Sequence, residues 1–359
     1  MTKFVTRGSI NFETLKSENR LVDKVSYCSN RLRMMKNPYT GNKRKFLFQI
    51  FSTLEKHNIK YKSILDLFSG TGCVATTARY LGKKVFANDL MKYSHCNLRF
   101  LVENENITLT DSEKKKILKI SNISDSYILK KYSNRFTEEE CRCLDSIREN
   151  ISTLFGNELN DKSVIAYLSV LRHVTNSCFI GGRLNNGQVL ANLDHRLQHQ
   201  KNRGNSMTFE RIDWLKPFIN NNKGKTFNND AINLLQNLDE EIDLCYIDPP
   251  YGGDQSDYFT MYKFYEDFIL GKDAGKPEAA SHFTQHKNYS SSLKELLHSL
   301  DKIPNAVFSY STSSFATVDE IKTIISEYRK NVYVEQFAYK YNYCDGNDEN
   351  LEYLIISTN

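Results

Sequence analysis

The chain has 359 residues, 40% hydrophobic and 25% charged, long enough to bury one large core with a smaller unit inserted or appended. Residues Met1 to Gly8 lack the apolar run of a signal peptide and no later segment reaches the length of a membrane span, which argues against a membrane partner and predicts a cytoplasmic protein. Its 48 Lys and Arg exceed its 43 Asp and Glu by a modest +5, but unevenly. Residues 30 to 45 carry Arg31, Arg33, Lys36, Lys43, Arg44 and Lys45 without an acid, and residues 176 to 226 carry eight basic residues against Asp194, Glu210 and Asp213. Both stretches suit a polyanion.

Residues 1 to 36 are polar and basic with little periodicity and read as an extension ahead of the main domain. From Lys43 to His57 the positions Phe46, Leu47, Ile50, Phe51 and Leu54 recur at three and four, the spacing of an amphipathic helix. Ser63 to Phe68 is a short apolar strand ending in a glycine turn, and Lys84 to Asn88 is a second after a helix-length spacer, so the pair forms a βαβ unit. Residues 101 to 226 differ in character. They are charged and helical to about residue 175, with Thr137 and Glu140 spaced as a capping box ahead of Cys141 to Phe155, then rich in Gly and Asn as surface loops are. The α/β pattern resumes with Ile242 to Ile247 and Ala306 to Tyr310, and Val332 to Tyr339 with Tyr353 to Ser357 close the sheet. The expected architecture is α/β: a twisted, largely parallel sheet built from residues 37–100 and 227–359, helices on both faces, and a mainly helical insertion at 101–226. Eight cysteines form no CxxC pair, and Cys141 with Cys143 has the wrong spacing for a zinc ribbon, so they are expected to be reduced and structural.

Two motifs carry chemistry. The run Asp66-Leu-Phe68-Ser-Gly70-Thr71-Gly72, with Ala75 in the third small position, leaves a strand and enters a helix. Glycines let the backbone turn tightly and approach a nucleotide-like ligand, and Asp89 at the end of the second strand can accept hydrogen bonds from ribose hydroxyls. That arrangement fits NAD as well as S-adenosylmethionine. The second motif, Asp248-Pro249-Pro250-Tyr251, follows an apolar strand. Two prolines remove two donors and fix φ twice, making a rigid edge. Such an edge suits the capture of an aromatic exocyclic amine, whose lone pair is delocalised into its ring. Asp248 and the Pro249 carbonyl can each accept one N–H and turn the lone pair toward a methyl sulfonium, while Tyr251 offers a stacking face.

With these motifs in order, the chain resembles the adenine-N6 DNA methyltransferases of restriction-modification systems, the group that includes the Dam-type enzymes. The resemblance implies a Rossmann-like, S-adenosylmethionine-dependent fold and assigns residues by position. Tyr39-Thr-Gly41-Asn-Lys43 is similar to the family motif whose aromatic residue and lysine contact the cofactor, Asp66 to Gly72 to its cofactor turn, and Asp89 to its ribose acid. Asp230 stands where the family has an acid for the cofactor's adenine amine. The family places target recognition between the ribose acid and the catalytic tetrapeptide, which makes Arg183, Arg196, Lys201 and Arg203 expected contacts to double-stranded DNA. A cognate restriction endonuclease is an implied partner.

Other features admit plainer readings. His195 with His199 and His282 with His286 have an i, i+4 spacing but no HExxH glutamate, so solvated or phosphate-facing histidines are expected rather than a metal site. Of the aromatic run Tyr258, Phe259, Tyr262, Phe264 and Tyr265, Tyr258 is expected to stack near an extruded base and the rest to pack the core. An NAD-dependent oxidoreductase, or a DNA-binding protein on a decayed methyltransferase scaffold, stays open as an alternative.

Overall fold

A computed structural model describes residues 19–35, 42–121, 123, 125–178, 190–203, 207–210, 212–219, 222–250, 257–312, 316–339 and 350–359. Seven strands, β1 (Ser63–Asp66), β2 (Lys84–Asn88), β3 (Lys225–Phe227), β4 (Leu244–Ile247), β5 (Asn305–Ser311), β6 (Asn331–Tyr339) and β7 (Asn350–Thr358), form one sheet in the order β3-β2-β1-β4-β5-β7-β6. Only β7 runs against its neighbours, inserted between β5 and β6. β1 and β4 therefore lie side by side and parallel at the centre, with Asp66 opposite Tyr246. Their C-terminal ends open together, the place where ligands bind in open α/β sheets.

The strands β1, β2, β4 and β5 are buried on both faces and read as short apolar runs. Ile64, Leu244, Tyr246 and Val307 face one core, and Leu65, Cys245, Ile247 and Phe308 the other. On the first face pack α1 (Asn19–Met34), α2 (Leu47–Lys56), α3 (Cys73–Tyr80), α4 (Lys92–Leu98) and the inserted α5 (Asp111–Ile117), α6 (Tyr127–Tyr132), α7 (Glu138–Phe155) and α8 (Asp161–Cys178), while α9 (Leu193–Arg203) is held on α7 and α8 by Arg196 and Gln200. α10 (Ala231–Gln236) lies on the second face, and α11 (Tyr258–Met261) and α12 (Lys263–Leu270) return to the first. α13 (His286–Ser299) and α14 (Val318–Ser326) complete the second face. This is the expected α/β sheet with helices on both sides. Among the described residues no helix is long and apolar enough to cross a membrane.

Two features differ from the sequence reading. The segment taken as an extension contains α1, which buries Val25, Cys28, Leu32 and Met35 against the core beside α2 and α3. Those positions do recur at helical spacing, but the seam is one residue wide among charges and so escaped notice. Tyr27 also stacks on Tyr80 of α3, with ring centroids 5.1 Å apart. The insertion, in turn, shares the core of the sheet, with Leu144, Val170 and Val174 in one cluster with Cys96 and Phe100. The buried Arg79 guanidinium fastens that seam, donating to the carbonyls of Leu101, Asn104 and Asn222. The expected capping box is present at the start of α7, and β3 begins just inside the anticipated limit of the insertion.

Candidate active site

The chain leaves β1 at Asp66 and turns through Gly70 and Gly72, at φ +53° and +74°, before α3 begins. Glycine is required at 72 on two counts, because the left-handed φ disfavours a side chain and a Cβ there would meet Leu98 Cδ2 at 2.9 Å. Asp66 is buried and its Oδ2 accepts the Ala75 N–H at 2.9 Å in the first turn of α3, where the helix dipole favours an anion. Its Oδ1 has no hydrogen-bond partner among the described residues. Burial pushes this carboxyl up to about 8, against the Ala75 N–H, with Asp248 and Asp89 adding to the rise. Thr71 is buried at the same turn, its hydroxyl against Cys73 Sγ at 3.1 Å.

Asp89 closes the far side. One oxygen accepts the Gly70 N–H at 2.8 Å and the other the Met91 N–H at 2.9 Å, and burial raises its carboxyl to about 6. The loop behind it is held by a residue that the sequence reading passed over. Glu266 of α12, 3% exposed, accepts the N–H groups of Lys92 and Tyr93 at 3.0 and 2.7 Å and so caps α4. Burial lifts Glu266 to about 7. The Asn88 side chain clasps the Asn229 backbone, donating to its carbonyl at 3.0 Å and accepting its N–H at 3.1 Å, and the Asn228 side chain donates to the carbonyls of Asp89 and Leu90. Asp230 caps α10, accepting the Asn233 N–H at 2.9 Å, with His282 Nδ1 3.6 Å from its other oxygen. Beside His282, Phe283 meets Phe68 edge to face at 5.3 Å.

β4 delivers Asp248, with Pro249 buried behind it. Lys43 Nζ lies 3.2 Å from Asp248 Oδ1 and 3.5 Å from Glu352 Oε2, and both Lys43 and Glu352 are buried. The lysine opens a short turn capped by Asn42, whose side chain accepts the Arg44 N–H at 3.3 Å. The structure thus places Lys43 against the acid of the tetrapeptide, a contact that spacing alone does not disclose. Tyr258 stands beside the same acid: its phenol is pushed above the usual range by burial first and the Asp248 carboxylate next. Its ring lies over Tyr262, 6.5 Å away at 9°, while Phe259, Tyr262, Phe264 and Tyr265 are buried in the core.

One expected DNA contact is overturned. Arg196 is fully buried, and both arms of its guanidinium donate to the two oxygens of Glu140. It clips α9 to the start of α7 and cannot reach a phosphate. The spacing of residues 193–203 sets no register for α9, so inward and outward positions are indistinguishable in the sequence. Asp194, His195, Leu197, Gln198 and Lys201 are the exposed positions of that helix among the described side chains. Tyr39, Tyr251 and Arg183 lie outside the described residues, as does the side chain of Arg203 at the end of α9. Glu266 stands beside a second acid, Asp267, and Glu352 follows Asp348 and Glu349, so neither is singled out by its neighbours in sequence.

Burial raises the carboxyls of Asp66 and Asp89 at the glycine turn and of Glu266 behind it. The buried Asp66 Oδ1, without a hydrogen-bond partner among the described residues, and the glycine turn fit a ligand that brings donors and a cation. The family model for D12 class N6 adenine-specific DNA methyltransferases matches residues 39–324. The type II methyltransferase M2.HphI of Haemophilus parahaemolyticus is 25% identical over 89% of this chain and 97% of its own length. M.FokI of Planomicrobium okeanokoites is 27% identical over 81% of this chain, which spans about half of that longer protein (47%). M.CviAII of Paramecium bursaria Chlorella virus 1 is 24% identical over 81% of this chain and 88% of its own length.

Proposed function

The chain belongs to the D12 class of N6 adenine-specific DNA methyltransferases, and on that premise we propose that it methylates N6 of an adenine turned out of duplex DNA at one short site. S-adenosylmethionine is the methyl donor in this reading, and its sulfonium supplies an electrophilic methyl group and a positive charge. The turn at Gly70 and Gly72 would receive it, with Asp89 toward the ribose, Asp66 toward the amino-acid end, and Phe68 with Asp230 toward the adenine ring. The acids that burial leaves undercompensated favour a cation here and oppose the pyrophosphate of NAD. No observation favours the oxidoreductase or a decayed scaffold.

Asp248 and the Pro249 carbonyl hold the two N–H bonds of the target amine, drawing its lone pair out of the ring plane. These bonds strengthen as the nitrogen gains positive charge, so they act in the transition state more than in the ground state. Extruding the base costs a few kcal/mol, and Tyr258 beside Asp248 offers a face to stack on. The observation that carries the reading is the meeting of Asp248 with the turn after Asp66 at the ends of two adjacent parallel strands. The type II relatives suggest a modification enzyme that protects a site against a cognate endonuclease. Expression in a methylation-free host, followed by mapping of modified bases, tests this. N6-methyladenine in one short motif is expected; unmodified DNA or N4-methylcytosine would overturn it.

A further inference from the structure

Glu352 lies in β7 shortly before the fully buried run Leu354, Ile355 and Ile356. In register it faces Ser311 on β5 and Phe337 on β6, neither of which carries a charge. A carboxylate withdrawn from water costs several kcal/mol unless it is paired, and a leucine of similar size is often as stable or more so. The sheet therefore has no need of an acid at this position. Its geometry points to the catalytic carboxylate instead, because the buried Lys43 ammonium sits between Glu352 Oε2 at 3.5 Å and Asp248 Oδ1 at 3.2 Å.

We propose that Glu352 is a positioning residue for methyl transfer, holding back the Lys43 ammonium so that Asp248 stays open to the N–H of the target amine. The inference rests on the proposed function. A lysine ammonium is a compact charge on a flexible stem; facing Asp248 alone, it would close onto that carboxylate and occupy the lone pairs the substrate needs. A second carboxylate on the opposite side holds the ammonium in between and shares its charge. Tyr258 of α11 also feels both Lys43 and Asp248, and Asp66 lies behind Asp248. Asp248 and Glu352 are the carboxylates in ion-pair contact with the ammonium among the described residues.

The test compares Glu352→Gln and Glu352→Leu with the parent enzyme in single-turnover methylation of a duplex carrying the mapped site. Both variants are expected to bind S-adenosylmethionine and DNA within about threefold of the parent while the transfer rate falls at least about tenfold. Removing the negative charge leaves Lys43 wholly to Asp248, which lowers the carboxyl's proton affinity, so the acid limb of the rate profile moves to lower pH. A purely structural Glu352 would leave that limb in place. The double variant Lys43→Met with Glu352→Leu, which leaves no unpaired charge at either position, is expected to melt near the parent but stay slow, so lost folding cannot mimic the result. A transfer rate within twofold of the parent, an unmoved acid limb, or a loss lying wholly in DNA or cofactor affinity would each overturn the proposal. Asp248→Ala separates the two levels. If it still transfers methyl groups, the functional reading fails; if it does not while Glu352→Gln is unaffected, only the role of Glu352 fails.

Discussion

Arg196 and Glu140 form a buried, two-armed ion pair, and the same glutamate closes the capping box of α7 by accepting the Thr137 N–H at 2.8 Å. Removing the arginine side chain would strand a carboxylate and loosen the seating of α9 together. Arg196→Ala is expected to cost about 3–5 kcal/mol of stability, the usual penalty for breaking a buried pair from one side. Lys201→Ala, on the exposed face of α9, is expected to leave the melting temperature unchanged. It should weaken DNA binding across sequences and lower the salt slope by about one. A stable Arg196→Ala protein with weakened DNA binding would return that residue to the interface.

In the proposed reaction Asp248 acts differently from the residues of the glycine turn, holding the amine and not the methyl donor. Asp248→Ala is expected to slow transfer by at least about a thousandfold, at the upper end of what one preorganised hydrogen-bonding group contributes. Calorimetric affinity for S-adenosylmethionine should stay within about threefold. If cofactor binding collapses with the rate, the carboxylate belongs to the cofactor site.

The central βαβ unit and both motifs were legible because their signals are local: glycines at fixed offsets, two prolines after a strand, apolar runs of strand length. What was not legible depends on contacts between distant segments. Nothing near Lys43 announces Glu352, and nothing near Asp89 announces Glu266, which stands beside a second acid, Asp267. Arg196 misled for the converse reason. Its surroundings are basic and loop-like, and only the packing of α9 on α7 reveals that its charge is spent on Glu140.

The raised acids make stability depend on pH in a definite sense. Asp66 at about 8, Glu266 at about 7 and Asp89 at about 6 all lie above their ordinary values near 4. The native state thus binds more protons than the unfolded chain in between, and the stability these groups contribute is full at low pH and lost as pH rises through their folded values. The ligand-free protein is expected to melt at progressively lower temperature from about pH 5 to about pH 9. S-adenosylmethionine should flatten that slope more than S-adenosylhomocysteine, which has the same skeleton without the sulfonium charge. Equal flattening by both would show that these acids respond to the nucleoside and not to the cation.

Glu266 links the two halves of the proposed site, because α12, downstream of Asp248, reaches back to cap the helix that follows Asp89. Each N–H it accepts is a hydrogen bond to a buried charged group, a class worth about 1.5–3 kcal/mol. Glu266→Ala leaves both N–H groups unpaired in a buried position, freeing the segment between Asp89 and Tyr93. Affinity for S-adenosylmethionine is then expected to fall at least about tenfold, while binding of DNA alone is retained. Glu266→Gln keeps one acceptor oxygen and should recover part of the loss. If the alanine variant binds the cofactor as well as the parent does, Asp89 is held by Gly70 and Met91 alone, and the link from α12 serves only the packing of α4.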